Sequence, residues 1–397
     1  HRLDAAIDLT VRGVILPGTP QDYRVARTRP WWPALRAVTA RVRMWADWPT
    51  LQPDPAFDVG DPASPGHHSL LALDEQIRAA ERDGLAVFLL PYRYPPWANG
   101  TAELQPASAA DLAHMLADRA RPGAIRRADG GPPAGLKARE YALPADGHGP
   151  DSPWGRFVSA LLDRYVARGE EHGRIQALEV VNEPNLQLWP QRSPAAAASP
   201  FDDDGTELVA HRAVAEMMVT VDELVTAAGG GLTCLAPSVA DAETYPRLVS
   251  GVRDGFAEAL LDELDRRGFG GGCHWRWSYH NYGDMEQGTD GVVDLRRRIA
   301  GRWRGLERDG GPVMAATEGG CRLSAMGEGL SDEARLREQA VRLARAVDRH
   351  RDLADLGAGL EFLTQYTVMA DPNYDCGLRG ADGTERPAFG AWCTALA

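Results

Sequence analysis

The chain alternates short apolar runs with longer segments in which apolar residues recur at helical spacing. Eight apolar runs of strand length follow one another along the sequence. They occupy residues 8–16, 40–45, 85–91, 175–181, 232–237, 274–280, 312–318 and 359–366. Most of them are apolar throughout, which is typical of parallel strands that are buried on both faces.

Amphipathic helical patterns fill the segments between these runs. The clearest cover residues 69–83, 154–171, 207–228, 245–267, 292–308 and 332–350. Regular alternation of strand and helix predicts a parallel α/β fold. An open, doubly wound sheet is the alternative, but no Gly-x-Gly-x-x-Gly motif follows the first strand. Eight units favour a closed (β/α)8 TIM barrel, formed as a single domain by residues 1–397.

Two connections in this pattern are long, those after the third and fourth strands. They span residues 98–152 and 185–204 and contain irregular, Gly- and Pro-rich or Ala-rich sequence. Both follow the carboxyl end of a strand, where barrel proteins build their functional sites from loops. We therefore expect these loops to form walls around the functional face.

Composition narrows the classes of partner. The formal net charge is −13, and a surface this acidic repels phosphate backbones and anionic lipid. No run of about 18 apolar residues exists in the sequence, so we predict no membrane span. These observations argue against nucleic acid and membrane as partners. A removed signal peptide would leave no trace, so the compartment stays open, with secretion preferred over the cytoplasm.

Cysteine and acidic residues give no sign of a metal or a cofactor. The five cysteines are odd in number and contain no Cys-x-x-Cys pair. Cys321 and Cys376 each follow a late strand, and a disulfide between them stays open. The run 202–204, three aspartates, lacks the alternating spacing and distal Glu of a calcium loop. We expect neither a metal ion nor a cofactor.

The chemistry-bearing residues stand at two strand ends. The fourth run leads into Asn182-Glu183-Pro184, and the seventh ends in Glu318-Gly319. Both place a carboxylate where a buried strand opens onto the functional face, and the two strands lie three units apart around the barrel. Hydrolysis of a glycosidic bond uses two carboxyl groups that face each other across the sugar.

At these residues the sequence resembles the clan A glycoside hydrolases. The string Asn-Glu-Pro-Asn-Leu-Gln-Leu-Trp at 182–189 is most similar to family 39, which includes β-xylosidases and α-L-iduronidases. Pro-Pro-Trp-Ala at 95–98 is similar to that family too. The resemblance implies a retaining mechanism with Glu183 as acid/base and Glu318 as nucleophile. It also implies carboxyl groups about 5–5.5 Å apart.

The same resemblance suggests supporting roles at other strand ends. It implies that Asn182 bonds the 2-hydroxyl of the sugar and that an Arg on the second strand contacts the nucleophile. Arg43 is the candidate, although Arg41 points the same way by the two-residue period. His280 and Tyr282 follow the sixth strand: the Tyr would donate to the nucleophile, and the His would hold Glu183 or a sugar hydroxyl.

Aromatic side chains near the strand ends are candidates for stacking on sugar rings, since the sequence has eleven tryptophans. The candidates for sugar contact are Trp48, Trp97, Trp189 and Tyr366. Tyr366 ends the eighth strand, where the clan often carries a Trp, and this departure leaves the sugar platform open.

The sequence therefore predicts a retaining glycoside hydrolase whose partner is an oligosaccharide or polysaccharide. Exo action or action on short oligosaccharides is preferred, with a β-xyloside or an arabinose-containing glycan as substrate. The alternatives are an endo-acting β-glucanase or β-mannanase and a carbohydrate-binding barrel without catalysis. The oligomeric state stays open.

Overall fold

Eight parallel strands close into a barrel in the computed structural model. The structure describes residues 3–8, 22–100, 143–144, 146–184, 210–238, 256–355, 357, 359–370 and 375–397. The barrel strands, numbered in chain order, are β1 Asp4–Asp8, β2 Arg41–Asp47, β3 Ala86–Tyr92, β4 Ala177–Glu179, β5 Thr233–Leu235, β6 Trp275–His280, β7 Met314–Glu318 and β8 Leu360–Tyr366.

Every strand pairs with its neighbours in the chain, and β8 closes the barrel by pairing with β1. All eight pairings are parallel. The carboxyl ends of all strands therefore meet at one rim. An antiparallel ribbon of Glu307–Arg308 with Gly311–Pro312 precedes β7 and lies outside the barrel sheet. This arrangement confirms the predicted (β/α)8 fold class.

Helices surround the strands. The described α-helices are Tyr23–Ala26, Trp32–Val38, Trp48–Leu51, His67–Arg82, Pro153–Leu162, Gly169–His172, Ala210–Ala227, Phe256–Arg266, Tyr282–Gln287, Gly291–Ile299, Asp332–Asp355 and Pro387–Leu396. A π-helical turn at Asp163–Ala167 and a 3-10 turn at Leu323–Ala325 complete them. No helix in the described ranges combines the length and apolarity needed to cross a membrane.

The apolar runs predicted seven of the strands to within a few residues, and the first strand was wrong. The prediction was 8–16, whereas β1 is Asp4–Asp8 and shares only Asp8 with it. Residues 9–16 lie outside the described part of the chain. The interior of β1 consists of Ala5, Ala6 and Ile7, all buried. Two alanines give a weak hydrophobic signal. The segment 8–16, which has larger apolar residues, therefore received the strand prediction instead.

Two helix predictions were too long. The predicted helix 292–308 is the shorter helix Gly291–Ile299, and Glu307 and Arg308 belong to the ribbon instead. The predicted helix 154–171 is interrupted by the π-helical turn, where the side chains of Arg164 and Tyr165 both bond the buried carboxylate of Asp74. A side-chain network that holds a helix in place from outside leaves no mark in its hydrophobic period.

Small and aromatic residues fill the barrel interior. One buried interior cluster consists of Ala6, Phe88, Ala177, Leu235, Ala315 and Phe362. Toward the amino-terminal strand ends, Arg41 bonds Asp4 and Glu361, and Glu361 also accepts from Arg276. The barrel is thus a packed core, and its polar chemistry can reach solvent only at the rim of carboxyl ends.

Candidate active site

Glu183 and Glu318 face each other at this rim. Glu318 is the last residue of β7, and Glu183 lies four residues beyond β4. One oxygen of Glu183, one oxygen of Glu318 and a ring nitrogen of His280 lie within 4.8 Å of one another. The fold therefore brings together the two carboxylates that the sequence motifs singled out.

The backbone at Glu183 is in a left-handed conformation. Its φ is +40°, which residues other than glycine rarely adopt. The amide of Glu183 donates to the carbonyl oxygen of Ser238 at 2.9 Å, and Asn182 forms an isolated parallel bridge with Ser238. This tie to the segment after β5 holds the strained turn, and strain of this kind is concentrated at functional sites.

A β-bulge and a glycine set the opposite wall. The pairing of β6 with β7 shifts register between Tyr279 and His280, so that His280 comes level with Glu318. Bulges re-aim side chains next to active sites. A Cβ on Gly319 would lie 1.6 Å from Oδ1 of Asn281, so only glycine permits this approach. The residues after β6 therefore pack directly on the end of β7.

His280 bridges the two carboxylates. Its Nδ1 lies 2.9 Å from Oε1 of Glu183, and its Nε2 lies 3.7 Å from Oε2 of Glu318. Burial lowers the pKa of His280, but the charge on Glu318 and the hydrogen bond and charge of Glu183 outweigh burial, so the pKa is raised. The imidazole therefore holds a proton more tightly than a free histidine does.

Two donors bind the oxygens of Glu318. Nη1 of Arg43 donates to Oε2 at 2.6 Å, and the hydroxyl of Tyr282 donates to Oε1 at 2.6 Å. These two charge-assisted hydrogen bonds fix the orientation of the Glu318 carboxyl group. Glu183, by contrast, faces His280 and is partly exposed. The two glutamates thus differ in their hydrogen-bond partners and in their exposure.

Arg43, rather than Arg41, is the arginine at the rim. It is fully buried, and its guanidinium also donates to Glu179, Asp8 and Asn182. Burial lowers the pKa of Arg43, but the charges of Glu179, Glu318 and Asp8 raise it above the ordinary value. Because Arg43 can only donate, Asn182 must turn its Oδ1 toward it, which fixes the orientation of that amide.

Two acids of this cluster were missed by the sequence analysis. Asp8 accepts from Arg43 at 3.3 Å and from the indole of Trp45 at 3.0 Å, and Glu179 accepts from Arg43 at 2.9 Å. Glu179 did leave a signal, since it is an acid inside an otherwise apolar run. A buried charge needs a partner, and this rule would have identified it as a site candidate.

The predicted sugar contact of Trp48 is wrong. Trp48 begins the short helix Trp48–Leu51, and it is only 1% exposed. Its ring stacks on Phe157 with centroids 4.8 Å apart, and its indole donates to Gln52. A ring that stacks on a sugar must expose at least one of its faces to the substrate. The ring of Trp48 exposes neither face.

The other three aromatic candidates differ in their surroundings. Trp97 is half-buried, packs edge-on against Trp48 and donates to the carbonyl of Gln52 at 3.1 Å. Tyr366 is buried next to Tyr282, with ring centroids 6.3 Å apart. Trp189 lies outside the described residues. Sugar contacts of Trp97, Trp189 and Tyr366 stay predictions.

Known structures share this fold at low sequence identity. GH5_18 from Streptomyces cattleya in complex with GlcNAc has a TM-score of 0.52 and 14% identity, over 100% of this chain and 80% of that chain. A GH39 β-xylosidase from Caulobacter crescentus has a TM-score of 0.53 and 16% identity, over 98% and 70%. A β-glucosidase from Thermotoga maritima in complex with deoxynojirimycin has a TM-score of 0.52 and 10% identity, over 95% and 88%.

These structural neighbours are clan A glycoside hydrolases. At such identities the likeness shows the barrel fold, and no single family stands apart from the others. No protein-family model matches the sequence, and no curated protein matches it either.

The cluster of Glu183, His280 and Glu318 is compact enough to be considered for a metal ion. However, both oxygens of Glu318 already accept hydrogen bonds, one of them from the cation Arg43. A guanidinium that close would repel a metal cation. The direct contact of His280 with Glu183 also suits proton transfer.

The disulfide that the sequence left open between Cys321 and Cys376 is not formed in the structure. Both residues are buried free thiols.

We expect replacement of His280 by Gln to change stability in a pH-dependent way. The pKa of His280 is raised in the fold, so its charged form contributes stability below the unfolded pKa of about 6.5. That contribution is lost as pH rises through the folded pKa. The difference in unfolding free energy between wild type and variant should therefore shrink above about pH 6.5.

Urea unfolding measured both below and above pH 6.5 tests the effect, and the variant His148→Gln is a matched control. Burial lowers the pKa of His148, which bonds the hydroxyl of Tyr94. The difference for His148→Gln should therefore change in the opposite direction and below about pH 6.5, growing as pH rises toward that value. Parallel curves for the two variants would contradict the assignment for His280.

Proposed function

We propose that this protein is a retaining glycoside hydrolase. The observation that carries the proposal is the spacing of Glu183 and Glu318, whose nearest described oxygens lie within 4.8 Å. Retaining enzymes hold their two carboxyls about 5–5.5 Å apart, whereas inverting enzymes need about 6.5–9.5 Å to admit a water. The short spacing of Glu183 and Glu318 therefore supports direct attack by a carboxylate.

The surroundings of each glutamate support the role that we propose for it. Glu318, bound by Arg43 and Tyr282, attacks the anomeric carbon as a carboxylate and forms a glycosyl ester. Glu183 gives its proton to the leaving oxygen and then takes one from the incoming water. His280 links the two, because it contacts the acid directly and lies close to the nucleophile.

Electrostatics explain how Glu183 changes from acid to base. In the resting state the negative charge of Glu318 favours retention of one proton by the hydrogen-bonded pair of Glu183 and His280. When Glu318 becomes an ester its charge disappears. Glu183, which has given its proton to the leaving oxygen, then stays ionised more readily and can act as a base toward water.

A β-xyloside or an arabinose-containing glycan is the proposed substrate class. The support is the similarity of the strings 182–189 and 95–98 to family 39, and a GH39 β-xylosidase is among the structural neighbours. The long connections after β3 and β4 favour exo action or action on short oligosaccharides. An endo-acting β-glucanase or β-mannanase is the second candidate.

A screen of 4-nitrophenyl glycosides tests the proposal. The panel contains β-xyloside, β-glucoside, β-galactoside, β-mannoside and α-L-arabinofuranoside, with Glu318→Ala as the blank. Release of nitrophenol by wild type alone would establish the class and name the glycone. Cleavage of long glycans without aryl glycosides would favour endo action, and binding without turnover on either panel would favour a carbohydrate-binding barrel.

Replacement of Glu183 by Ala should produce a defect that depends on the leaving group. Substrates with poor leaving groups should lose about 10²- to 10⁴-fold in kcat/KM, because they need a proton from the acid. Substrates with good leaving groups, such as dinitrophenyl glycosides, should lose much less in the first step. Steady-state kinetics over a series of aryl glycosides measures this dependence.

Azide provides the companion test for Glu183→Ala. A small anion can enter the space of the lost side chain and attack the glycosyl ester without a general base. It should raise turnover and yield a glycosyl azide of retained configuration, since it attacks from the same side as water. Uniform loss over all leaving groups, with no azide product, would mean that the acid lies elsewhere.

A further inference from the structure

Glu179 is a buried acid that the proposed chemistry does not use directly. It is the last residue of β4 and is fully buried. Its Oε2 accepts from Nε of Arg43 at 2.9 Å, while its Oε1 has no hydrogen-bond partner in the described structure. Arg43 is therefore the group that compensates the charge of Glu179.

The contact with Glu179 determines where the guanidinium of Arg43 points. The guanidinium is a rigid planar fork, so fixing one edge directs the others. With Nε held by Glu179, Nη1 reaches Glu318 at 2.6 Å and Nη2 reaches Asn182 at 2.8 Å. Nucleophile and Asn182 are thus aligned by one cation that is itself held from β4.

Glu179 also competes with the nucleophile for positive charge. Arg43 faces Asp8 from β1, Glu179 from β4 and Glu318 from β7, all within salt-bridge distance. Glu318 additionally faces His280 and Tyr282, both from the β6 side. One permanent cation shared among three carboxylates stabilises each of them less than it would stabilise one alone.

We propose that Glu179 is a positioning residue that aims Arg43 at the nucleophile and limits the share of positive charge that Glu318 receives. The kinetic part of this proposal rests on the proposed function, while the geometric part does not. Glu179→Gln and Glu179→Ala separate the two effects. Gln keeps an oxygen that can accept from Nε of Arg43 but carries no charge, and Ala removes both.

For Glu179→Gln we expect the acidic limb of the kcat/KM profile to move to lower pH by about 1 unit. Less competition for Arg43 makes Glu318 easier to ionise, while kcat at the optimum changes little because Arg43 is still held. For Glu179→Ala we expect kcat to fall about 100-fold with a smaller change in KM, because Arg43 loses its aim. The kcat of Glu179→Gln should thus stay close to that of wild type, whereas the kcat of Glu179→Ala should not.

Glu361→Gln is the matched control. Glu361 is also a barrel glutamate that bonds arginines, Arg41 and Arg276, but it lies toward the opposite strand ends. It should leave the acidic limb and kcat where wild type has them. An unmoved limb in Glu179→Gln, or an equal shift in Glu361→Gln, would overturn the proposal. Should Glu179→Ala fail to fold, the Gln variant still decides.

A crystal structure of Glu179→Ala separates failure of this inference from failure of the proposed function. If wild type cleaves no glycoside, the function fails, and the structure then tests the positioning alone. We expect the guanidinium of Arg43 to rotate and its contact with Glu318 or Asn182 to be lost. An Arg43 that keeps both contacts without Glu179 would overturn the proposal, whatever the activity.

Discussion

Replacement of Glu318 by Gln is expected to abolish turnover of every glycoside that wild type cleaves. Without a carboxylate no glycosyl ester can form, and removal of a catalytic nucleophile costs about 10⁴- to 10⁶-fold in kcat. The fold should remain at least as stable, because one of three carboxylates that crowd around Arg43 is neutralised. Loss of function with retained stability is the mark of a catalytic residue.

Covalent trapping measures this prediction directly. A 2-fluoro glycoside with a good leaving group slows both steps, so the ester accumulates on wild type and increases its intact mass. Peptide mapping should locate the added mass on Glu318, and Glu318→Gln should gain none. Glu361→Gln, altered outside the site, should label like wild type. Labelling of the Gln variant, or label on another residue, would contradict the assignment.

The strands could be predicted from sequence where their side chains are large. Run 85–91 is apolar and run 274–280 has an aromatic residue at every second position, and β3 and β6 coincide with these runs closely. β1 could not be found this way, because alanine contributes little hydrophobic signal although Ala5 and Ala6 are buried. Ala6 belongs to the interior cluster and Ala5 to the larger core that includes helix residues, so their burial reflects their place in the barrel and not their own hydrophobicity.

The proximity of Glu183 and Glu318 could be predicted, because each of them belongs to a short motif at a strand end. Their supporting groups depend on the closed barrel. Arg43 reaches partners 35, 136 and 275 positions away in the chain, and which arginine of β2 does so depends on the shear of the sheet. A period of two residues gives Arg41 and Arg43 the same face, and the register of β2 against its neighbours decides which of them lies at the rim.

The error at Trp48 has a related cause. Trp48 follows directly on β2, as a residue of the functional rim should. The helix Trp48–Leu51 begins at that residue and turns the ring onto Phe157 of the neighbouring helix. Distance from a strand end along the chain indicates the rim, but the conformation of the loop decides whether a ring faces substrate or core.

Replacement of Arg43 by Met should have the largest combined effect on stability and activity. Removing one partner of a buried ion pair costs about 3–5 kcal/mol, and here Asp8, Glu179 and Glu318 would all lose their cation. Turnover should fall as well. Of the two donors that bind Glu318, Arg43 and Tyr282, only Tyr282 would remain.

The pH dependence of this loss identifies its cause. Buried carboxylates that lose their cation bind protons more tightly in the fold than in the unfolded chain, so the variant gains stability as pH falls. The difference from wild type in unfolding free energy should therefore be largest near pH 7 and shrink toward pH 4. Arg41→Met, whose guanidinium is partly exposed and bonds Asp4 and Glu361, should cost less. A loss in Arg43→Met that does not vary with pH would mean that lost packing, and not uncompensated charge, destabilises the variant.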